Sequence, residues 1–171
     1  MRESTRSAHD RVDAVFGGYD LSRPDDYASF LIGHAAAFLP IEHALDRGGA
    51  EQFLPDWNES RRATLLAEDL AELGIDLPRQ IEPPEFASDA EMLGALYVIE
   101  GSRLGGAMLR HNVPDGQPSR FLSAVHTSGR WRAFAATLDR CLCSDARLHE
   151  ATSSALQTFA SFERVAARSI A

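Results

Sequence analysis

The stretch MLGALYVIEGSRLGGAMLRH, residues 92–111, decides the fold. Its apolar residues recur every three to four positions: Leu93, Leu96 and Tyr97, then Leu104, Met108 and Leu109. That is the spacing of an amphipathic helix with these side chains on its buried stripe. Ahead of it, Ser88-Asp89-Ala90-Glu91 has the pattern of a capping box, so the helix has a marked start. Yet the helix carries Gly94, Gly101, Gly105 and Gly106. An interior glycine costs roughly 1 kcal/mol relative to alanine, so four cost about 3–4 kcal/mol. Gly101 and Gly105 lie one turn apart and strip one face to bare backbone. Either a second helix or a flat ligand must come close there.

Working outward, no stretch alternates as a strand between turn signals, and every remaining segment reads as helix or connection. A first helix runs from about Arg2 to Phe16 and stops at Gly17-Gly18. A second starts at Pro24-Asp25-Asp26 and continues to about Asp46, with Pro40 expected to kink or reshape it. A third is expected from about Asn58 to Leu73, ending at Gly74, and Ile75 to Ala87 is an extended connection rich in proline. After the glycine-bearing helix come a short helix following Pro118 and another from about Ser128 to Cys143. The last, about Asp145 to Arg168, places Leu148, Thr152, Ala155, Leu156, Phe159, Phe162 and Ala166 on one stripe. Seven helices with short joins make an all-α bundle, and 171 residues suit a single domain, residues 1–171, with one core.

Composition narrows the function. A net charge of −8 disfavours nucleic acid or an anionic membrane as the main partner. All seventeen basic residues are arginine, a genome-composition signature first and a supply of carboxylate-binding forks second. No signal peptide or long uncharged apolar run is recognisable, so the expected location is the cytoplasm. Cys141 and Cys143 point about 200° apart on a helix and form neither a disulfide nor a complete zinc site.

The first helix is the second informative stretch. Arg2, Arg6, His9 and Asp13 fall within an arc of about 60° on a wheel of 100° per residue. Ala8, Val12, Val15 and Phe16 occupy the neighbouring arc and face the core. An imidazole with two guanidinium groups beside it suits a metal-centred ligand that carries its own carboxylates. A solvated helix face with a histidine packed at its edge accounts for the same spacing. His34, His43, His111, His126 and His149 form no metal-ligand pattern, and no phosphate loop, dinucleotide fingerprint or nucleophile elbow is present. In Arg130-Trp131-Arg132-Ala133-Phe134 the aromatics read as core residues and the arginines as solvated. Trp57 reads as a packing residue.

Taken together, these stretches resemble the biliverdin-producing heme oxygenases, in particular the bacterial branch associated with bacteriophytochromes. The resemblance rests on STRSAHDRVDA at 4–14 and LGALYVIEGSRLGG at 93–106. It is supported by FLIGHAAAFLPIEHAL at 30–45, PDW at 55–57 and RWRAF at 130–134. It implies an all-α domain holding heme in a slot between the first helix and a kinked glycine-rich helix. His9 is then the iron ligand. Gly101, Ser102, Gly105 and Gly106 form the catalytic distal wall, and Arg2, Arg6, Tyr97 and Arg132 bind the heme. Ser102 stands where the mammalian type has aspartate, and Ala136 where a second propionate-binding arginine is expected.

The implied activity is oxidative opening of heme to biliverdin with release of iron and carbon monoxide, heme serving as both cofactor and substrate. Its partners are molecular oxygen, an external electron donor (a ferredoxin or a reductase) and a bacteriophytochrome as bilin acceptor. Two other functions fit the residues: a non-catalytic heme-binding protein for storage, transfer or sensing, and a heme-free helical interaction protein whose glycines admit a partner helix.

Overall fold

The computed structural model describes residues 1–125 and 127–169, with side chains described as far as residue 166. Among these residues there are eight α-helices and no strand: α1 (Arg2–Phe16), α2 (Pro24–Arg47), α3 (Trp57–Ser60), α4 (Ala63–Glu72), α5 (Asp89–Leu109), α6 (Arg120–Ser123), α7 (Arg130–Cys141) and α8 (Asp145–Ser169). Single 3₁₀ turns follow α2 at Ala50–Gln52 and α5 at Arg110–Asn112.

Helix α8 is the hub, with α5, α1 and α2 all packed on it. The side chains that allow this are small. Ala151 and Ala155 are fully buried where α5 crosses, and a Cβ on Gly94 would stand 2.9 Å from the Ala151 carbonyl carbon. That close approach sets the rotation of α8. Ala151, Ala155, Phe159, Phe162, Val165 and Ala166 are buried, whereas Leu148 and Leu156, expected on the inner stripe, are exposed. A leucine at the crossing would hold the two backbones apart, so the small residues win the inner positions.

The capping box at the start of α5 forms with one variation. The Ser88 hydroxyl accepts from the Glu91 N–H at 3.2 Å, and the Glu91 carboxylate accepts from Ala87 N–H at 2.7 Å, one residue earlier than the usual reciprocal bond.

Helix α2 is long and apolar enough to cross a membrane by length and composition, but 72% of its most apolar window is buried inside the protein. Tyr27, Phe30, Leu31, Phe38, Ile41 and Leu45 all lie in the core. Pro40 does not interrupt it. Lacking an N–H, Pro40 leaves the Ala36 carbonyl without its helical donor, and the Ile81 N–H of the extended connection takes that place at 2.9 Å. A local defect in α2 thus pins the proline-rich segment to the core.

The single helix expected over residues 58–73 is two. The break falls at Arg61-Arg62, where the carboxylate of Glu42, buried on α2, accepts from Arg62 N–H at 2.8 Å and Ala63 N–H at 2.5 Å. These amides are the open first turn of α4, and Glu42 caps them from another helix. Burial pushes the Glu42 carboxyl above its ordinary range, opposed by these amide bonds. Trp57 is buried as expected, its indole N–H donating to Asp46 at 3.1 Å.

Candidate functional site

The four glycines of α5 divide into two kinds. Gly94 is filled by α8, and Gly106 is buried against Leu122 of α6, 3.5 Å from where its Cβ would sit. Gly101 and Gly105 are open. A Cβ on Gly101 would meet only the Trp131 ring edge at 3.8 Å, and one on Gly105 would meet nothing within 4 Å. Gly106 therefore faces α6 and does not share the open side.

Around the open glycines, α5 exposes apolar side chains that its periodicity assigns to the core: Leu104 is 50% and Met108 75% exposed, while Leu93 and Leu96 are fully buried. The C-terminal half of α5 thus presents bare backbone and apolar side chains to open space. Such a surface is costly in water and fits an apolar plane laid against it. Tyr97 stands at its edge with ring centroids 6.0 Å from Trp131, which packs in turn on the buried Phe134.

On α1, Arg2, Arg6, His9 and Asp13 are all exposed on one side, and Ala8 and Phe16 are buried on the other. His9 Nδ1 lies 3.0 Å from Asp13 Oδ2, and its ring meets Phe159 of α8 edge-on at 5.8 Å. With Nδ1–H donated to the carboxylate, the Nε2 lone pair is left for a ligand, the arrangement that orients metal-binding histidines. Arg2, Arg6 and Arg132 are exposed and make no ion pair among the described residues. Among the described residues no hydrogen bond, ion pair or ring contact joins the α1 face to the α5 face. They are related through α8, on which both helices pack.

Behind the open glycines lies a buried charge network that sequence reasoning did not find. Arg62, 1% exposed, donates from one guanidinium nitrogen to the Ile99 carbonyl at 2.6 Å and to Ser102 Oγ at 2.7 Å. Ser102 in turn donates to the Ile99 carbonyl at 2.8 Å. The Arg62 guanidinium is sandwiched between Phe38 and Phe121, 4.7 and 5.0 Å from the ring centroids, and its Nε has no partner among the described residues. Burial, helped by the charge of Arg103, pushes it down to about 9, so it stays cationic at neutral pH.

One residue before Gly101, the buried carboxylate of Glu100 takes bonds from Arg103 at 3.2 Å and Arg130 at 3.1 Å. Arg130 continues to Asp56 and the Ser60 hydroxyl, and Arg103 to the Ser60 and Ala124 carbonyls. Arg130 is therefore buried and paired, not solvated as expected. Ionised groups inside a core are retained when each is paired. The signal was visible as single charges within apolar runs, Glu42 in FLPIEHAL and Glu100 in LYVIEG.

The other histidines stand apart from this face. His34 is caged by Phe16 and Phe30, each 4.1 Å away between centroids, and donates Nδ1–H to the Phe30 carbonyl at 3.0 Å. Burial holds it down at about 4, so it is neutral. His43, His111 and His149 are exposed, and His126 lies outside the described residues. Cys141 and Cys143 are free thiols. Among the described residues no cluster of three or more metal-ligating side chains exists. Two cavities lie away from the α1 and α5 faces, one of about 460 Å³ beside Arg130 and Asp56 and one of about 350 Å³ under the extended connection.

Helix α8 thus carries an all-α bundle with two open helix faces, one bearing His9 and one bearing Gly101 and Gly105. A heme oxygenase of Xanthomonas campestris pv. campestris (strain 8004) is 33% identical over 144 residues, which cover 81% of this chain and 87% of that protein. The chain belongs to the heme oxygenase family. The solved heme oxygenase of Neisseria meningitidis, described with nitric oxide and carbon monoxide bound, superposes with a TM-score of 0.83 over 98% of this chain and 88% of that one, at 24% identity. No family-wide sequence profile matches the chain.

Proposed function

We propose that the protein degrades heme, opening the ring oxidatively to biliverdin with release of iron and carbon monoxide, and that heme lies between the His9 face of α1 and the Gly101–Gly105 face of α5. The observation that carries this reading is the open glycine face, bare at Gly105 and flanked by exposed Leu104 and Met108. A Cβ at either glycine would occupy the plane a porphyrin needs, and neither position is required for packing against another helix.

The remaining residues fit the same ligand. His9, with Nδ1–H held by Asp13, offers Nε2 to the iron. Arg2, Arg6 and Arg132, without an ion pair among the described residues, are guanidinium groups suited to propionate carboxylates. When bound, heme supplies both the oxygen-activating iron and the carbon skeleton that is cleaved.

The chain supplies position and polarity. The Gly101–Gly105 backbone keeps side chains off that face, so a porphyrin laid there would meet bare helix backbone. Ser102 spends its hydroxyl hydrogen on the Ile99 carbonyl and one lone pair on Arg62, which leaves one lone pair to hold a water beside the face. Arg62 fixes that hydroxyl and the carbonyl of Ile99 together, so a shift of the helix backbone moves the water site with it. Electrons come from a separate ferredoxin or reductase, and the bilin passes to an acceptor such as a bacteriophytochrome in the cytoplasm.

The test is turnover. Heme titrated into the protein produces a Soret band, and ascorbate under oxygen then bleaches it while bilin absorption grows. A Soret band that persists refutes turnover and leaves a heme-binding protein; no Soret band on titration refutes both. His9→Ala removes the histidine-ligated spectrum while the helical circular dichroism stays intact. Survival of that spectrum assigns the iron to another ligand.

A further inference from the structure

The glycine face of α5 is open at one end and walled at the other. A Cβ on Gly105 would meet nothing within 4 Å, whereas one on Gly101 would stand 3.8 Å from Cη2 of Trp131, the far tip of the indole. Trp131 is half-buried. Its ring meets the buried Phe134 of its own helix edge-on and Tyr97 of α5 at a tilt, with centroids 6.0 Å apart in both pairs. A core tryptophan needs only apolar neighbours, yet this one sets its tip against a residue without a side chain.

Charge, and not apolar packing alone, fixes where this ring stands. Arg130, the residue before it, is buried at the start of α7 and donates Nε–H to Glu100 at 3.1 Å. It donates further to Asp56 and, at 2.8 Å, to the Ser60 hydroxyl. Glu100 is fully buried and directly precedes Gly101. Two consecutive residues of α7 thus meet two consecutive residues of α5, Arg130 on Glu100 and Trp131 on Gly101. Sliding one helix along the other would strand a buried charge, which is strongly unfavourable. The indole is thereby indexed to Gly101, and a large ring with only two side-chain torsions makes a stiff wall.

A flat ligand on this face is free to shift toward Gly105 and is stopped at Gly101. That asymmetry matters for a substrate whose edges differ. The substituents of heme make its meso bridges inequivalent, so the product isomer depends on which bridge lies under the bare backbone. We propose that Trp131 is a specificity-determining residue, an end stop that fixes the in-plane seating of heme on the glycine face and so selects the bridge that is opened. The proposal rests on the heme reading above and adds a residue outside the His9 and glycine faces.

Trp131→Leu and Trp131→Phe, each loaded with heme, test it by two readouts. The first is the proton NMR spectrum of the ferric cyanide complex, whose heme methyl shifts report seating without turnover. The second is the biliverdin isomer ratio, resolved by chromatography after turnover with ascorbate. Leucine keeps apolar bulk against Phe134 and lacks the indole tip. Trp131→Leu should therefore move the methyl shifts and raise the minor isomers on the order of fivefold, the population shift expected from loss of one aromatic contact. Trp131→Phe, which keeps a ring between α7 and Tyr97, should lie closer to the parent in both readouts. Circular dichroism and the Soret band should match the parent in both variants, so that a lost stop is not confused with a lost fold or a lost site. Methyl shifts and isomer ratio equal to the parent's in Trp131→Leu overturn the proposal and leave the heme reading standing. A parent that gains no Soret band on heme titration overturns both.

Discussion

Gly94 and Gly105 sit on the same helix, three turns apart, and do opposite things. At Gly94 the missing side chain is filled by the backbone of α8, whose Ala151 carbonyl stands where a methyl would go. At Gly105 the missing side chain is filled by nothing. The intrinsic penalty of glycine in a helix is the same at both, about 1 kcal/mol. At Gly94 the folded chain itself recovers it through close packing. At Gly105 it is recovered only if something arrives from outside. The same contrast separates the two best-placed histidines: His34 is caged by aromatic rings in the packed region, and His9 stands exposed on the open side. A glycine or histidine in a helix therefore says little by its identity, and its neighbours decide whether it belongs to the fold or to a ligand.

The contrast is most directly broken at Gly94. Gly94→Ala drives a methyl into the Ala151 carbonyl and should lower stability by about 3 kcal/mol or more, read as a fall of roughly 10 °C in Tm. An unchanged Tm would mean that α8 withdraws freely and that the close crossing is incidental. Next in size is the pH dependence of the packed histidine. His34 is held at about 4 in the folded protein against an ordinary 6.5. Folding therefore favours the neutral ring: its contribution is whole above pH 6.5 and is lost as pH falls toward 4. That loss is about 3 kcal/mol, visible as a drop in urea midpoint between pH 7 and pH 4 that His34→Phe flattens. The nearby Arg62 charge works in the same direction.

On the open side the sign changes. Gly105→Ala should stabilise the heme-free protein by up to about 1 kcal/mol through helix propensity, while weakening heme binding or turnover. Equal gains with and without heme would show that no ligand uses this face. The smallest effect is at His9, where Ala should leave thermal stability within about 0.5 kcal/mol, as for most surface substitutions. A large loss there would move His9 from the open group to the packed one.

The helices announced by local chemistry were legible in the chain. The glycine pair after α1, Pro24 with two acids, and Ser88 with Glu91 placed those ends because each acts within one turn of the boundary. The break between α3 and α4 was not legible, because its cap, Glu42, lies twenty residues away on another helix. The open face was half legible. Gly101 and Gly105 marked a bare strip, but periodicity put Leu104 and Met108 in the core, since an apolar residue awaiting a ligand spells the same as one awaiting a neighbour. Arg62 and Arg130 were missed for the converse reason: a buried, hydrogen-bonded arginine is spelled like a solvated one.

Pro40 inverts a familiar rule of helix engineering. Replacing an interior helical proline by alanine ordinarily gains stability by restoring one local bond. Here the restored N–H would compete with Ile81 for a single carbonyl. The chain has used the one residue that cannot donate as a reserved socket, visible only to a segment forty positions further along. Sequence repair of that helix would therefore erase an address, and the segment that depends on it would lose its fixed place over α2 and α8.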